Sequence, residues 1–120
     1  MLEILKDMAD KVVAGRASGQ ISGKDYADVL TPAVESSVKR HGEIRVLYQL
    51  SQDFSGFTVG AMFDDAKLGL RHRNSFEKIA VIADVDWISR LVRFFSLMIP
   101  CPVKVSGNKD TSRAKAWLIE

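Results

Sequence analysis

The chain has 120 residues, with 17 Lys and Arg against 15 Asp and Glu, a net charge of +2. Hydrophobic residues make up 47% and charged residues 27%, the balance of one globular domain able to bury its own core. These figures exclude disorder, a disulfide scaffold, a membrane-spanning protein and nucleic-acid binding through bulk charge.

The first elements are two strand-like runs, Leu2 to Met8 and Val12 to Ser18, with Ala9-Asp10 suited to a tight turn between them. Gly19 ends the second run. Ser22 is an N-cap with Asp25 three residues on, an acidic variant of the capping box. Tyr26, Leu30, Ala33, Val34 and Val38 follow at helical spacing, and Gly42 stops the helix. Pro32 removes a backbone donor inside it, which predicts a kink or break. Ile44 to Leu50 is a third strand, followed by a polar loop from Ser51 to Phe57. Thr58 caps a second helix with Val59, Met62, Phe63, Ala66 and Leu70 on one face. Ile79 to Ala83 is a short strand, and Asp84 caps a third helix over about 85–99 that Pro100 and Pro102 end. Val103 to Val105 is the last strand, and Asp110 or Thr111 caps a final helix ending in Ala116, Trp117, Leu118 and Ile119.

The order β-β-α-β-α-β-α-β-α predicts a single α/β domain over 1–120, mostly parallel in its sheet, with the first strand antiparallel. Val13, Ala17, Ile44, Val46, Tyr48, Leu50, Ile79, Val81, Val103 and Val105 share one side of the strands. Arg16, Arg45, Gln49, Lys78 and Lys104 take the other, mixed with Leu47 and Ile82. Such alternation predicts helices mainly on one face and a partly wet second face.

That order resembles the STAS domain, the fold of the SpoIIAA-type anti-sigma-factor antagonists. Several phrases are similar to a SpoIIAA-like group of small bacterial proteins. They are Arg16-Ala17-Ser18-Gly19, Asp53-Phe54-Ser55-Gly56-Phe57, the run from Gly60 to Gly69, and Ile79 to Asp84 before Trp87-Ile88. The resemblance covers nearly the whole chain. It implies a non-enzymatic regulatory module working by protein–protein contact. The same fold class includes the lipid-binding CRAL-TRIO domains, which lends weight to an apolar ligand.

In the antagonists the loop after the third strand carries a phosphorylated Ser. The resemblance places Ser55 at that position, with Gly56 at the sharp turn, within a candidate interaction loop of Asp53, Phe54, Ser55, Gly56, Phe57 and Thr58. A helix N-terminus beyond such a loop would favour a phosphate. Phe54, Phe57 and Thr58 depart from the family's small residues, Leu and Gly, and point to burial or partner contact. Turn chemistry alone also accounts for Ser55-Gly56.

Asp53 and Asp84 should lie at one sheet edge with Asp86 nearby, where Mg²⁺ could bind, although capping and turn roles explain each acid. Asp64 to Lys67 reads as an i,i+3 pair on a solvated face. Cys101, between two prolines, reads as a small hydrophobe rather than a nucleophile for His41 or His72. No nucleophile elbow, Walker loop or zinc-protease motif occurs. No metal, cofactor or catalytic residue is therefore expected.

The third helix carries an apolar arc of about half its circumference, widened by Trp87, Phe94 and Met98. It suits core, a homodimer surface, the wall of an apolar ligand cavity, or a membrane-surface face. The cavity reading, between the second and third helices, would use Phe57, Met62, Phe63, Phe94, Phe95 and Met98. The N-terminal run is broken by Glu3, Lys6, Asp7 and Asp10, so it is no secretory signal. With a single cysteine, the expectation is a cytoplasmic bacterial protein that binds an unidentified protein partner or itself, and no nucleic acid.

Overall fold

The strands pair in the order in which the chain makes them, β1-β2-β3-β4-β5. The computed structural model describes residues 1–6, 8–9, 11–84, 88, 90, 93 and 100–120. β1 (Leu2–Leu5) is antiparallel to β2 (Val12–Ile21). β3 (Ile44–Phe57), β4 (Phe76–Ile82) and β5 (Val103–Ser106) then add in parallel. The mixed sheet with an antiparallel first strand is the architecture the sequence predicts. β1 stops at Leu5 rather than Met8, and Val12 N–H donates to the Ala9 carbonyl at 2.9 Å to close the turn.

β2 does not end at Gly19. It continues to Ile21 through a register shift, and Gly19 takes the left-handed φ of 61° that lets the strand bend and resume.

Ser22 caps α1 (Gly23–Asp25) with the complete reciprocal box: its hydroxyl accepts from Asp25 N–H, and the Asp25 side chain accepts from Ser22 N–H at 2.8 Å. The break expected at Pro32 takes the form of a π-helical turn, Tyr26–Leu30, directly ahead of α2 (Thr31–His41). Thr31 N–H reaches back five residues to the Tyr26 carbonyl. This wider turn ends two residues before Pro32, the residue that lacks a donor. It buries both Tyr26 and Leu30.

The alternation of the strands separates two cores. Val13, Ala17, Val46, Leu50 and Val81 join Tyr26, Leu30, Val34, Ala61 and Leu68 on the face covered by α2 and α3 (Val59–Arg71). On the other face Val12, Ala14, Leu47, Ala80 and Ile82 receive Ala114 and Leu118 of the C-terminal helix α4 (Thr111–Ile119). That face is thus partly covered, and α4 lies opposite α2 and α3. The basic residues there hold the helix end. Arg45 donates to the Leu118 carbonyl and Lys78 to the Trp117 carbonyl at 3.0 Å. The Lys78 and Lys104 ammoniums stand 5.0 and 5.6 Å from the Trp117 ring centroid.

α4 is entered through a short 3₁₀ turn, Asn108–Asp110. Asp110 makes no side-chain cap; Thr111 Oγ1 instead donates to the Asn108 carbonyl at 2.7 Å. The predicted third helix falls mostly outside the described residues. Within it Ile88, Arg90 and Arg93 are helical, and Ile88 is buried.

Candidate functional site

The predicted loop from Ser51 to Phe57 is the end of β3. Leu50 pairs with Ala17, Phe54 with Gly19, Gly56 with Gln20 and Phe57 with Ile21. Ser51, Gln52 and Asp53 therefore stand opposite Ser18 alone, and Ser55 stands opposite no residue. Extra residues on one strand bulge outward. Gln52, Asp53 and Ser55 are exposed, whereas Phe54 is buried and Phe57 half-buried. The two rings meet at 4.9 Å between centroids, and Phe57 sets its plane at 85° to Tyr48 at 6.3 Å. These aromatic contacts pull a polar segment into the ladder. The Ser51 hydroxyl meets the Ala17 carbonyl at 3.0 Å and also the Asp53 carboxylate.

Gly56 has a φ of 145°, a conformation L residues essentially do not adopt. Gly56→Ala is expected to cost about 1–3 kcal/mol. Chemical denaturation checks it, and an unchanged midpoint would refute the assignment of strain to this residue. Beyond the tip, Thr58 N–H donates to the Ile21 carbonyl at 2.8 Å, and its Oγ1 accepts from Ala61 N–H at 3.1 Å. Thr58 is thus the predicted N-cap of α3.

The face of α3 differs from the sequence expectation. Ala61, Leu68 and Gly69 are buried. Val59 is 84% exposed and Phe63 70% exposed, with Met62 and Leu70 also open to solvent. The apolar residues predicted as the inner face thus form an outer stripe. What turns inward is an acid. Asp65 Oδ1 accepts from the Tyr26 hydroxyl at 2.9 Å, and the Tyr26 and Tyr48 hydroxyls lie 2.9 Å apart. Tyr26 has one proton to give, so when Asp65 is ionised Tyr48 donates to Tyr26 and Tyr26 to Asp65. Desolvation pushes the Asp65 pKa up to about 6, with the Tyr26 hydrogen bond acting against it. Burial likewise raises both tyrosines, which keeps them protonated as donors. Sequence reasoning missed this chain, because its members come from the π turn, β3 and α3.

At the carboxyl edge of the sheet, Asp84 accepts from Asn108 N–H at 2.9 Å and from Asn108 Nδ2 at 3.0 Å. The backbone bond, then the side-chain bond, hold its carboxyl below the usual range. The same Nδ2 reaches the Leu50 carbonyl at 3.3 Å, and Gln49 Nε2 donates to Asn108 Oδ1 at 3.2 Å. Asp84 thus ties the entrance of α4 to the sheet. Among the described residues no three His, Cys, Asp or Glu side chains gather as a metal site, and Asp86 lies outside them. Burial raises the Cys101 thiol pKa, the opposite of an activated nucleophile. No described helix is long and apolar enough to cross a membrane.

Of the predicted apolar pocket, Phe57 packs on Tyr48 and Phe54, and Met62 and Phe63 face solvent. Phe94, Phe95 and Met98 lie outside the described residues. A groove of about 170 Å³ beside α3 is lined by Ala27, Thr31, Asp64, Lys67, Leu68 and Arg71. Small-molecule pockets begin at about 300 Å³.

This architecture is matched among known proteins. A crystal structure of an uncharacterised protein with a SpoIIAA-like fold from Shewanella loihica superposes with a TM-score of 0.71. It is 29% identical, over 98% of this chain and 92% of that one. No curated protein sequence matches significantly. The SpoIIAA-like family model matches residues 12–119, and the chain belongs to the SpoIIAA-like family.

Proposed function

We propose that the protein is a non-enzymatic binding module whose contact surface runs from the β3 tip, Asp53 to Thr58, onto the first turns of α3. SpoIIAA-like domains are generally regulatory rather than enzymatic. The observation that carries the reading is the outer stripe of α3. Val59 and Phe63 stand one helical turn apart, largely exposed, next to the exposed Ser55 and Asp53. A lone exposed apolar residue needs no explanation, but a contiguous stripe on one helix face is a common mark of a recognition surface. Beside it, Phe54 and Phe57 are committed to the interior and hold the tip in place. Ser55 is accessible, and a phosphate there would add nearly two negative charges to the surface.

A photoreactive amino acid at Val59, introduced in the source cell, tests this. The expected result is a discrete protein conjugate from position 59 and none from the exposed Lys109. Equal labelling at both positions, or none at position 59, would overturn the reading.

A further inference from the structure

We infer that Asp65 is a proton-sensitive latch: protonated, it seats α3 against the sheet, and ionised, it lets the helix open.

α3 has little else to hold its middle. Its buried residues are Ala61, Leu68 and Gly69, so Leu68 is the one large apolar side chain that it commits to the core. The N-terminal end is tied through backbone. Thr58 N–H donates to the Ile21 carbonyl, and α1 comes so close that a Cβ on Gly23 would lie 3.5 Å from the Gly60 carbonyl carbon. The C-terminal end carries the ion pair of Arg71 with Glu35, and exposed pairs of this kind hold weakly. Between these ends the Tyr26–Asp65 hydrogen bond joins α3 to the π turn at 2.9 Å, and Tyr48 of β3 extends it.

The protonation state decides how well this joint holds. The Tyr26 hydroxyl is the one hydrogen-bond donor to Asp65 among the described residues, and no described cation forms an ion pair with it. A carboxylate in that setting has lost its water and gained a single neutral donor, so its charge favours leaving. A carboxylic acid has no charge to solvate and keeps the link to Tyr26 as donor or acceptor.

Other charges around the joint are engaged elsewhere or turned away. Asp25 of α1 acts on Tyr48 through space, but its carboxylate accepts from Ser22 N–H. Lys24 pairs with Asp28 of the π turn, and Glu35 of α2 with Arg71. On α3 itself, Asp64 and Lys67 are spaced as an i,i+3 pair yet form no ion pair with each other; both line the groove beside Ala27 and Thr31. Arg90 and Arg93 are exposed.

Swinging α3 outward about Thr58 returns the carboxylate to water while the strands stay paired. Opening therefore releases a proton and is favoured as pH rises. The seated carboxyl titrates at about 6 and a released one near 3.8. The equilibrium constant for opening is thus expected to rise about tenfold between about pH 5 and pH 7.5 and to level off above 6. Because Val59 and Phe63 ride on α3, the latch also sets how firmly that exposed pair is held.

Amide hydrogen exchange of the full chain, followed by NMR at about pH 5 and 7.5 and corrected for intrinsic exchange rates, tests the latch. The Leu68 and Gly69 amides are expected to exchange through a local opening. Their protection should be lower than that of Val46 and Val81 in the sheet and nearly insensitive to dilute urea. That opening should be about tenfold more populated at the higher pH. In Asp65→Asn the corrected protection of α3 should change less than about twofold between the two conditions. In the wild type, the Asp65 carboxyl carbon should titrate at the pH where the opening constant levels off, which decides the matter even if the variant fails to fold. Amides of α3 that exchange only together with the sheet would overturn the inference. So would an α3 opening indifferent to pH, a pH dependence retained in Asp65→Asn, or an Asp65 carboxyl that titrates at the usual carboxylate value. The latch is read on the isolated chain, so it stands or falls apart from the contact surface proposed above.

Discussion

Asp65→Asn is expected to make the protein more stable at pH 7.5 by about 2 kcal/mol, while changing it little at pH 4.5. The sign follows from burial. The Asp65 pKa is raised from the usual carboxylate value of 3.8 to about 6 in the folded chain. Between those two values the native state holds a proton that the unfolded state has released. Stability contributed by this group is therefore fully present below about pH 4 and lost as pH rises through 6. A shift of about two units corresponds to roughly 3 kcal/mol, and some of the gain on substitution is offset by the Asn amide hydrogens, which need acceptors. Other carboxyls pull the other way. Asp25 is lowered by the Ser22 N–H and Glu77 by Lys11, so both add stability as pH rises. The difference between wild type and Asp65→Asn isolates this inward-facing, desolvated acid. Urea unfolding of both at pH 4.5 and 7.5 measures it, and a difference that does not grow with pH would disprove the assignment.

The second large effect concerns α4. Leu118→Ala is expected to cost about 3–4 kcal/mol, within the range for a fully buried leucine whose site cannot collapse. Leu118 is completely buried, and with Ala114 it covers Leu47, Ala80 and Ile82. Its own carbonyl also accepts from Arg45. Loosening this turn should release that bond together with the Lys78 bond to Trp117, so Trp117 fluorescence should shift to the red in the native baseline. Guanidinium melts and emission spectra check both. A cost below about 1 kcal/mol would mean that α4 contributes little to the second core.

These two residues mark what the sequence could and could not reveal. The inner and outer sides of the strands were legible, because Val13, Val46, Val81 and their neighbours alternate cleanly with Arg45, Lys78 and Lys104. The caps at Ser22 and Thr58 were legible because they act over three residues. The face of α3 was misread by phase rather than by period. Ala61 and Gly69 are too small to register as core, and Asp65 looks like a surface acid until Tyr26 and Tyr48 are seen beside it. Leu47 and Ile82 on the supposedly wet face were the signal that a helix belonged there. The β3 tip was hidden by its polar composition, since a bulge can carry Gln52, Asp53 and Ser55 outward without ending the strand. Its aromatic residues held the usable clue, as Phe54 and Phe57 are buried or half-buried. Nothing local announces a hydrogen-bond chain whose members lie 17 and 22 residues apart.

The outermost strands have a further consequence. β1 and β5 are each four residues long, and each carries a charged residue at the rim, Glu3 in one and Lys104 in the other. An open edge is a template on which another chain can add a strand, and short, charged edges are poor templates. Crowding this protein to high concentration should therefore not draw sheets into fibrils. The exposed apolar residues of α3, Val59 and Phe63, lie instead on a helix, which offers no strand edge to extend.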